Sequence, residues 1–284
     1  MPPFSRPWLN EMKSLSPSTV SSFRKKVYGH YRKYGRDLPW RRTKNPYHVL
    51  VSEVMLQQTQ VERVIGKYEE FITAFPDFAS LAKATLPKLL RLWQGMGYNR
   101  RALSLRALAQ KVVNEYGGKL PSDEERLITL PGVGKYTAGA VLAFAFNKPV
   151  MFMDTNIRRA YIHEFLRDRD NIRDEEIVPL VRQTLDMRNP RKWYNALMDY
   201  GAMLKGEQGN PNKRSAHYVR QSPFENSNRQ VRGRILKTLV AGEPLTVAQI
   251  VKETGMDAVR VKKNLADLEK EGFIKKQRRR YGIS

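Results

Sequence analysis

Apolar residues recur at helical spacing along most of the chain. Val20, Phe23, Val27 and Tyr31 share one stripe, and Ser16-Pro17-Ser18 ahead of them supplies an N-cap with proline at the first position, so a helix is predicted toward Tyr34. Asn45-Pro46 opens a second helix, through Glu53 to about Thr59. The same spacing predicts helices near 61–75, 86–94, 99–116, 123–129, 135–147, 155–166, 174–187 and 191–205. Ser122-x-x-Glu125 reads as a capping box for the helix at 123–129. No period-two alternation occurs before residue 270, so the main body is predicted to be all-α.

The pattern changes at both ends. Residues 1–15, with Pro2, Pro3 and Pro7, read as an arm, and residues 16–204 as the helical body. Residues 205–228 are rich in Gly, Asn, Ser and Pro and read as a loop. Residues 229–284 form a separate pattern: an apolar face over Arg232–Val240, a short helix from Leu245, a third helix over Asp257–Glu271, then Gly272–Tyr281 as strand and wing. Three helices and a wing describe a small winged helix. The basic run Lys275–Arg280 is either a phosphate-contacting wing or a solvated tail.

Charge narrows the partners. Lys and Arg number 51 against 28 Asp and Glu, a net charge of +23, which suits a polyanion such as nucleic acid. No apolar run is long enough to span a membrane, and the first residues lack the apolar stretch of a secretory signal. The chain has no cysteine, which excludes disulfides and thiolate metal sites and fits a cytoplasmic protein. Its four histidines have no ligand-like spacing, so no metal site is expected. A monomer is expected.

Leu130-Pro-Gly-Val-Gly-Lys-Tyr-Thr137 closes a tight turn between two predicted helices. Gly132 and Gly134 can take positive φ, and the backbone N–H groups of Gly132, Val133, Gly134 and Lys135 lie where a helix N-terminus favours an anion such as a DNA phosphate. The stretch resembles the hairpin of the helix-hairpin-helix DNA glycosylases, the superfamily of endonuclease III. The resemblance implies a two-lobed, all-α glycosylase fold, here followed by the winged helix. Members that also cut the strand carry a lysine nucleophile where this chain has Tyr136. A neutral phenol cannot form a Schiff base with the sugar, so base removal without strand cleavage is expected.

Base excision breaks an N-glycosidic bond through an oxocarbenium-like transition state. It needs an acid for the leaving base, a carboxylate near the sugar and an extruded nucleotide. Glu53 lies among Val49, Leu50, Val51, Val54, Met55 and Leu56, so partial desolvation is expected to raise its pKa and suit a general acid. Ser52-Glu-Val-Met-Leu-Gln-Gln-Thr59, with Asp37-Leu-Pro-Trp-Arg41 and Asn45-Pro-Tyr47, resembles the MutY-type adenine glycosylases, which remove adenine mispaired with 8-oxoguanine or guanine. By that resemblance Glu53 protonates N7 of adenine, Trp40 and Arg41 line the adenine pocket, and Gln57, Gln58 and Thr59 enter the duplex beside the opposite base. Gly95-Met96-Gly97-Tyr98 matches the family's wedge, making Met96 and Tyr98 contacts at the lesion; the lesser alternative for Tyr98 on sequence alone is a core aromatic. Tyr136 stands where some members place a hydroxyl near the sugar.

Asp154, in Phe152-Met-Asp-Thr-Asn156, is the candidate carboxylate for the sugar cation and also a plausible simple helix cap. The family has Asp-Gly-Asn here, so Thr155 is a departure while Asn156 keeps its match and is expected to orient the carboxylate or a water. Arg158 and Arg159 read as phosphate ligands or solvated residues. Trp193–Lys205 resembles the segment leading into a four-cysteine iron–sulfur cluster, but Lys205 stands at the first cysteine, so the cluster is expected to be absent and the following loop held by packing, through Tyr218 and Phe224. Asn195 aligns with a longer polar or acidic residue of the adenine pocket. The family's C-terminal domain for 8-oxoguanine has no counterpart; the winged helix stands in its place. The reading is a cofactor-free, monofunctional adenine glycosylase acting on mismatched duplex DNA. Its alternatives are a thymine or uracil mismatch glycosylase of the same superfamily and a non-catalytic DNA-binding protein.

Overall fold

The structure, a computed structural model, describes residues 14–207 and 209–284. The predicted arm lies outside the described residues except for its last two. The helices are, in order, α1 (Pro17–Tyr34), α2 (Pro46–Leu56), α3 (Val61–Ala74), α4 (Phe78–Ala82), α5 (Leu86–Trp93), α6 (Arg100–Tyr116) and α7 (Glu124–Leu127). They continue with α8 (Lys135–Phe144), α9 (Thr155–Phe165), α10 (Asp174–Thr184), α11 (Pro190–Glu207), α12 (Asn228–Ala241), α13 (Val247–Thr254) and α14 (Ala258–Lys270). Three short strands, β1 (Leu245–Thr246), β2 (Ile274–Gln277) and β3 (Arg280–Ile283), make an antiparallel sheet in the order β1-β3-β2. Among the described residues no helix is long and apolar enough to cross a membrane.

The chain forms two compact units. The first comprises residues 14–44, 122–124 and 134–220 and holds α1 and α8 to α11. Ser16 caps α1 by accepting from Thr19 N at 3.1 Å. Its Phe23 meets Tyr161, Phe165 and Trp193 edge-on at 5.4, 5.0 and 5.7 Å, tying α1 to α9 and α11. Arg24 donates to the carbonyls of Thr184 and Leu185 at the end of α10, at 2.9 and 2.5 Å.

The second unit comprises residues 45–121, 125–133 and 221–284. Asn45 Oδ1 accepts from Tyr47 N at 2.9 Å and starts α2. Phe71, Phe75, Leu81, Leu89 and Trp93 are buried in its core. The winged-helix module packs α12 to α14 over Val231, Ile235, Leu239, Ile250, Val261, Leu265, Leu268 and Phe273, with α12 also resting on α5.

Several boundaries differ from expectation. Helix α2 stops at Leu56 rather than near Thr59, because Gln57 leaves helical geometry and Gln58 takes φ of 56°. The residues meant for the duplex therefore sit on a turn. Helix α7 begins at Glu124, so Ser122 does not head a capping box; its hydroxyl and carbonyl take Lys148 Nζ instead. Helix α4 was not foreseen; Asp77 and Ser80 cap it reciprocally. Leu245–Thr246 is a strand rather than the start of a helix, since it pairs with Tyr281 and Arg280, partners remote in sequence.

Candidate active site and nucleic-acid interface

Asp154 is the N-cap of α9 and more than a cap. Its Oδ1 accepts from the backbone of Asn156 and Ile157 at 2.8 and 2.7 Å, and Oδ2 accepts from Asn156 Nδ2 at 3.1 Å. Burial pushes this carboxyl above its ordinary range, while those donors and the charge of Arg159 pull it back. The result is a half-buried carboxyl with a fixed orientation.

Arg159, read from sequence as a phosphate ligand or solvated residue, is instead buried. It donates to Asn156 Oδ1 at 2.9 Å, to Gly201 O at 2.6 Å and to Asn210 Oδ1 at 3.3 Å. Arg158 is likewise held, in a two-pronged pair with Asp174 at 2.6 Å. The chain Arg159–Asn156–Asp154 orients the carboxylate from behind. Helix α11 reaches it closely: a Cβ on Gly201 would lie 2.2 Å from Asn156 O. Sequence reasoning missed Arg159 and Gly201, whose roles arise from contacts between helices.

The segment 209–217 supports the same helix turn. Asn212 is buried and donates to Thr155 O at 2.8 Å, and Ile172 exchanges backbone hydrogen bonds with Arg214 and Ala216, both at 2.9 Å. Tyr218 and Phe224 are 40% and 59% exposed, so amide hydrogen bonding holds this segment rather than the aromatic packing expected. Its donors are amide, hydroxyl and guanidinium groups with no thiolate, which does not fit an iron–sulfur cluster.

Tyr136 lies in the first turn of α8, its ring edge-on to Phe152 at 5.8 Å. Phe152 meets Tyr194 at a tilt, ring centroids 4.3 Å apart, and passes so close to α8 that a Cβ on Gly139 would stand 2.6 Å from its own Cβ. This contact places the strand of chain entering Asp154. In the hairpin, Gly132 has φ of 78° and a Cβ there would meet Ser104 at 2.8 Å, so glycine is required. Gly134 is extended at φ of −95° and caps α8, contrary to the positive φ allowed for it. Val133 N–H is taken by Leu130 O at 3.1 Å and its side chain is buried, which removes it from the expected phosphate donors; Gly134 and Lys135 are exposed.

Of the expected adenine-pocket residues, Trp40 and Asn195 are buried, and Arg41 is engaged by Asp199. Arg41 donates to both carboxylate oxygens at 2.7 and 2.8 Å, and Arg36 adds its Nε at 2.6 Å and its backbone N–H at 2.9 Å. Burial raises the Asp199 pKa, but these hydrogen bonds and charges outweigh it and hold the carboxyl below the usual range.

In the second unit, Glu53 is buried on α2 at 5% exposure. Arg101, which sequence reasoning missed, joins the end of that helix to the wedge. Its Nη1 donates to the carbonyls of Val54, Met55 and Gln57 at 2.8, 2.9 and 2.5 Å. Its Nη2 donates to Thr59 Oγ1 at 3.1 Å and to the carbonyls of Met96 and Gly97 at 2.9 and 3.1 Å. Its guanidinium also lies over Trp93 and Tyr98, 5.4 and 5.5 Å from their centroids. Burial lowers its pKa to about 10, still cationic at neutral pH.

Gln57, Gln58, Thr59 and Tyr98 thus meet on one cleft of about 1350 Å³. Met96 is 2% exposed and anchors the wedge from inside, a correction to its place among contact residues. Tyr98 takes φ of 46° and is 37% exposed, so it is not a core aromatic. Its hydroxyl accepts from Gln221 at 2.6 Å and Arg229 at 3.0 Å.

Comparison with known proteins finds relatives among DNA repair proteins. The family described as HhH-GPD superfamily base excision DNA repair protein matches residues 51–179. The adenine DNA glycosylase of Buchnera aphidicola subsp. Baizongia pistaciae is 38% identical over 66% of this chain and 54% of that protein. The adenine DNA glycosylase of Mycolicibacterium smegmatis is 35% identical over 84% of this chain and 85% of that protein. The chain therefore spans about half the length of the first relative and most of the second. Among solved structures, a thermostable thymine-DNA glycosylase superposes with a TM-score of 0.60 at 27% identity, over 69% of this chain and 92% of that one.

Proposed function

The chain belongs to the HhH-GPD superfamily of base excision DNA repair proteins, among the adenine DNA glycosylases, and from that membership we propose that it excises adenine mispaired with 8-oxoguanine or guanine from duplex DNA. The observation that carries the reading is Asp154: an oriented, half-buried carboxylate held by two backbone amides and the Asn156–Arg159 relay.

The chemistry follows from the groups present. The duplex opens around Tyr98 and the Gln57–Thr59 turn, and adenine leaves the stack. Glu53 gives a proton to N7, so the pair of electrons of the C1′–N9 bond departs with a neutral base. Asp154 stabilises the sugar cation left behind and accepts a proton from the water that adds to C1′. The products are free adenine and an abasic site. Tyr136 supplies a hydroxyl near the sugar but no amine, so the phosphodiester backbone stays intact.

The cofactor follows the same logic. A chain without cysteine offers no thiolate for an iron–sulfur cluster, and the hydrogen bonds of Asn210 and Asn212 to α9 take over the structural duty of such a cluster. Action in the compartment that holds the chromosome is part of the same proposal, as is action as a monomer.

Single-turnover base release on duplexes with adenine opposite 8-oxoguanine or guanine tests the reading. Adenine-strand cleavage appearing only after alkali supports it. Release of thymine from T·G duplexes with adenine untouched would favour the mispaired-pyrimidine alternative, to which the thymine-DNA glycosylase likeness lends its weight.

A further inference from the structure

The winged-helix module has two faces. One is spent on the rest of its unit: α12 rests on α5, and Glu271 accepts from Arg100 Nε and Nη2 at 2.8 and 2.6 Å and from Arg232 Nη1 and Nη2 at 3.0 and 2.5 Å. The two-pronged Arg100–Glu271 pair anchors the module to α6, and Arg232, from α12 of the module itself, holds the same carboxylate in place.

The other face is open and basic. Val259 is 74% exposed on α14, and Lys262, Lys263 and Ala266 follow it on the outward side. Beside them the β2–β3 hairpin presents Lys275, Lys276, Arg278 and Arg279, all exposed, with its tip at Arg278 in left-handed geometry. Between Ala258 and Ile283 the chain carries nine basic residues against three acidic ones, Asp267, Glu269 and Glu271. Glu271 is already neutralised by the anchor, and Glu269 accepts from Lys276 N at 3.3 Å. Asp267 and Lys270 line the cleft beside Tyr98, so the outward charge is carried by Lys262, Lys263, Lys275, Lys276, Arg278 and Arg279.

We propose that this face, α14 together with the β2–β3 wing, is a second grip on duplex DNA, engaging a stretch of backbone separate from the lesion. The shape fits the charge. An exposed helix edged by lysines with only small or apolar side chains between them can enter a major groove, and a basic hairpin beside it can reach the flanking phosphates. The contacts proposed are chiefly to phosphate, which a cluster of lysines and arginines engages without regard to sequence. The grip does not depend on which base is excised.

The test measures binding of the full chain to undamaged duplexes of about one and about three helical turns. Two variants, K262E/K263E and R278E/R279E, are compared with wild type, and K262Q/K263Q serves as a milder control whose thermal melt reports folding. Wild type is expected to gain affinity on the longer duplex. Each charge reversal should lose about tenfold there at low salt, with a shallower salt dependence, and bind the short duplex nearly as wild type does. Binding to both duplexes at wild-type strength would overturn the proposal, and so would equal losses on both. Adenine release at saturating enzyme should be unchanged in all variants; its loss in wild type would count against the proposed function and leave the binding result standing.

Discussion

Gly201 comes so close to Asn156 that a Cβ placed on it would stand 2.2 Å from the Asn156 carbonyl oxygen and 2.9 Å from its Cα. Backbone cannot rotate aside as a side chain can. Gly201→Ala must therefore push α11 away from the first turn of α9 and loosen Arg159 and Asp154 together. We expect a loss of about 3 kcal/mol in stability, at the upper end for overpacking, and at least a tenfold drop in single-turnover excision. Denaturant melts and excision rates check both. Gly139→Ala meets only the Phe152 side chain, at 2.6 Å, and should cost less.

Asp154 should set the acid limb of the pH profile. Its pKa is raised by burial, and the proposed reaction uses the ionised form, so the rate is expected to fall as pH drops through that raised value. Asn156 Nδ2 donates to Oδ2 and favours the charged form. Asn156→Ala removes that donor, raises the pKa further, and moves the acid limb to higher pH. A limb that stays in place or moves to lower pH would show that Asp154 does not govern it.

Arg101 ties the Gln57–Thr59 turn to the Met96–Tyr98 wedge through carbonyls on both sides. Arg101→Met removes the guanidinium donors: Gly97 O keeps Trp93 Nε1 at 3.1 Å, while Met96 O and Gln57 O keep only Thr59 Oγ1 at 3.4 and 3.3 Å. The cost is about 1–3 kcal/mol for each acceptor left buried and unsatisfied. Mispaired duplex should bind at least tenfold more weakly. Undamaged duplex should be less affected, because in the proposed function the turn and wedge act where the stack is opened. Equal losses on both would mean that Arg101 supports only the fold.

How much of this was legible differs by element. Helix starts were, because Ser16, Asn45 and Asp154 cap through side chains within three residues. The requirement for glycine in the hairpin was legible at Gly132 and misread at Gly134, since only the first meets both positive φ and a close neighbour. The turn at Gln57–Gln58 was not visible in periodicity, which runs on through Val61. Arg101, Arg159 and Gly201 carried no local signal. Each works through partners on other elements, and an arginine in a basic chain looks solvated until its carbonyls are found.

Asp199 gives the last prediction. It takes four donors from Arg36 and Arg41, and Arg41 has only 11% of its side chain exposed. Asp199→Asn leaves that guanidinium without its counter-charge, and loss of one partner of a buried pair costs about 3–5 kcal/mol. The sign with pH is fixed by the depressed carboxyl pKa: the stabilisation is complete above the ordinary carboxylate value and is lost as pH falls through the lower, folded-state value. Wild type and variant should thus differ most in melting temperature near neutral pH and converge in acid. A gap that stays constant into acid would show that packing around Asp199, and not its charge, holds Arg41 in place.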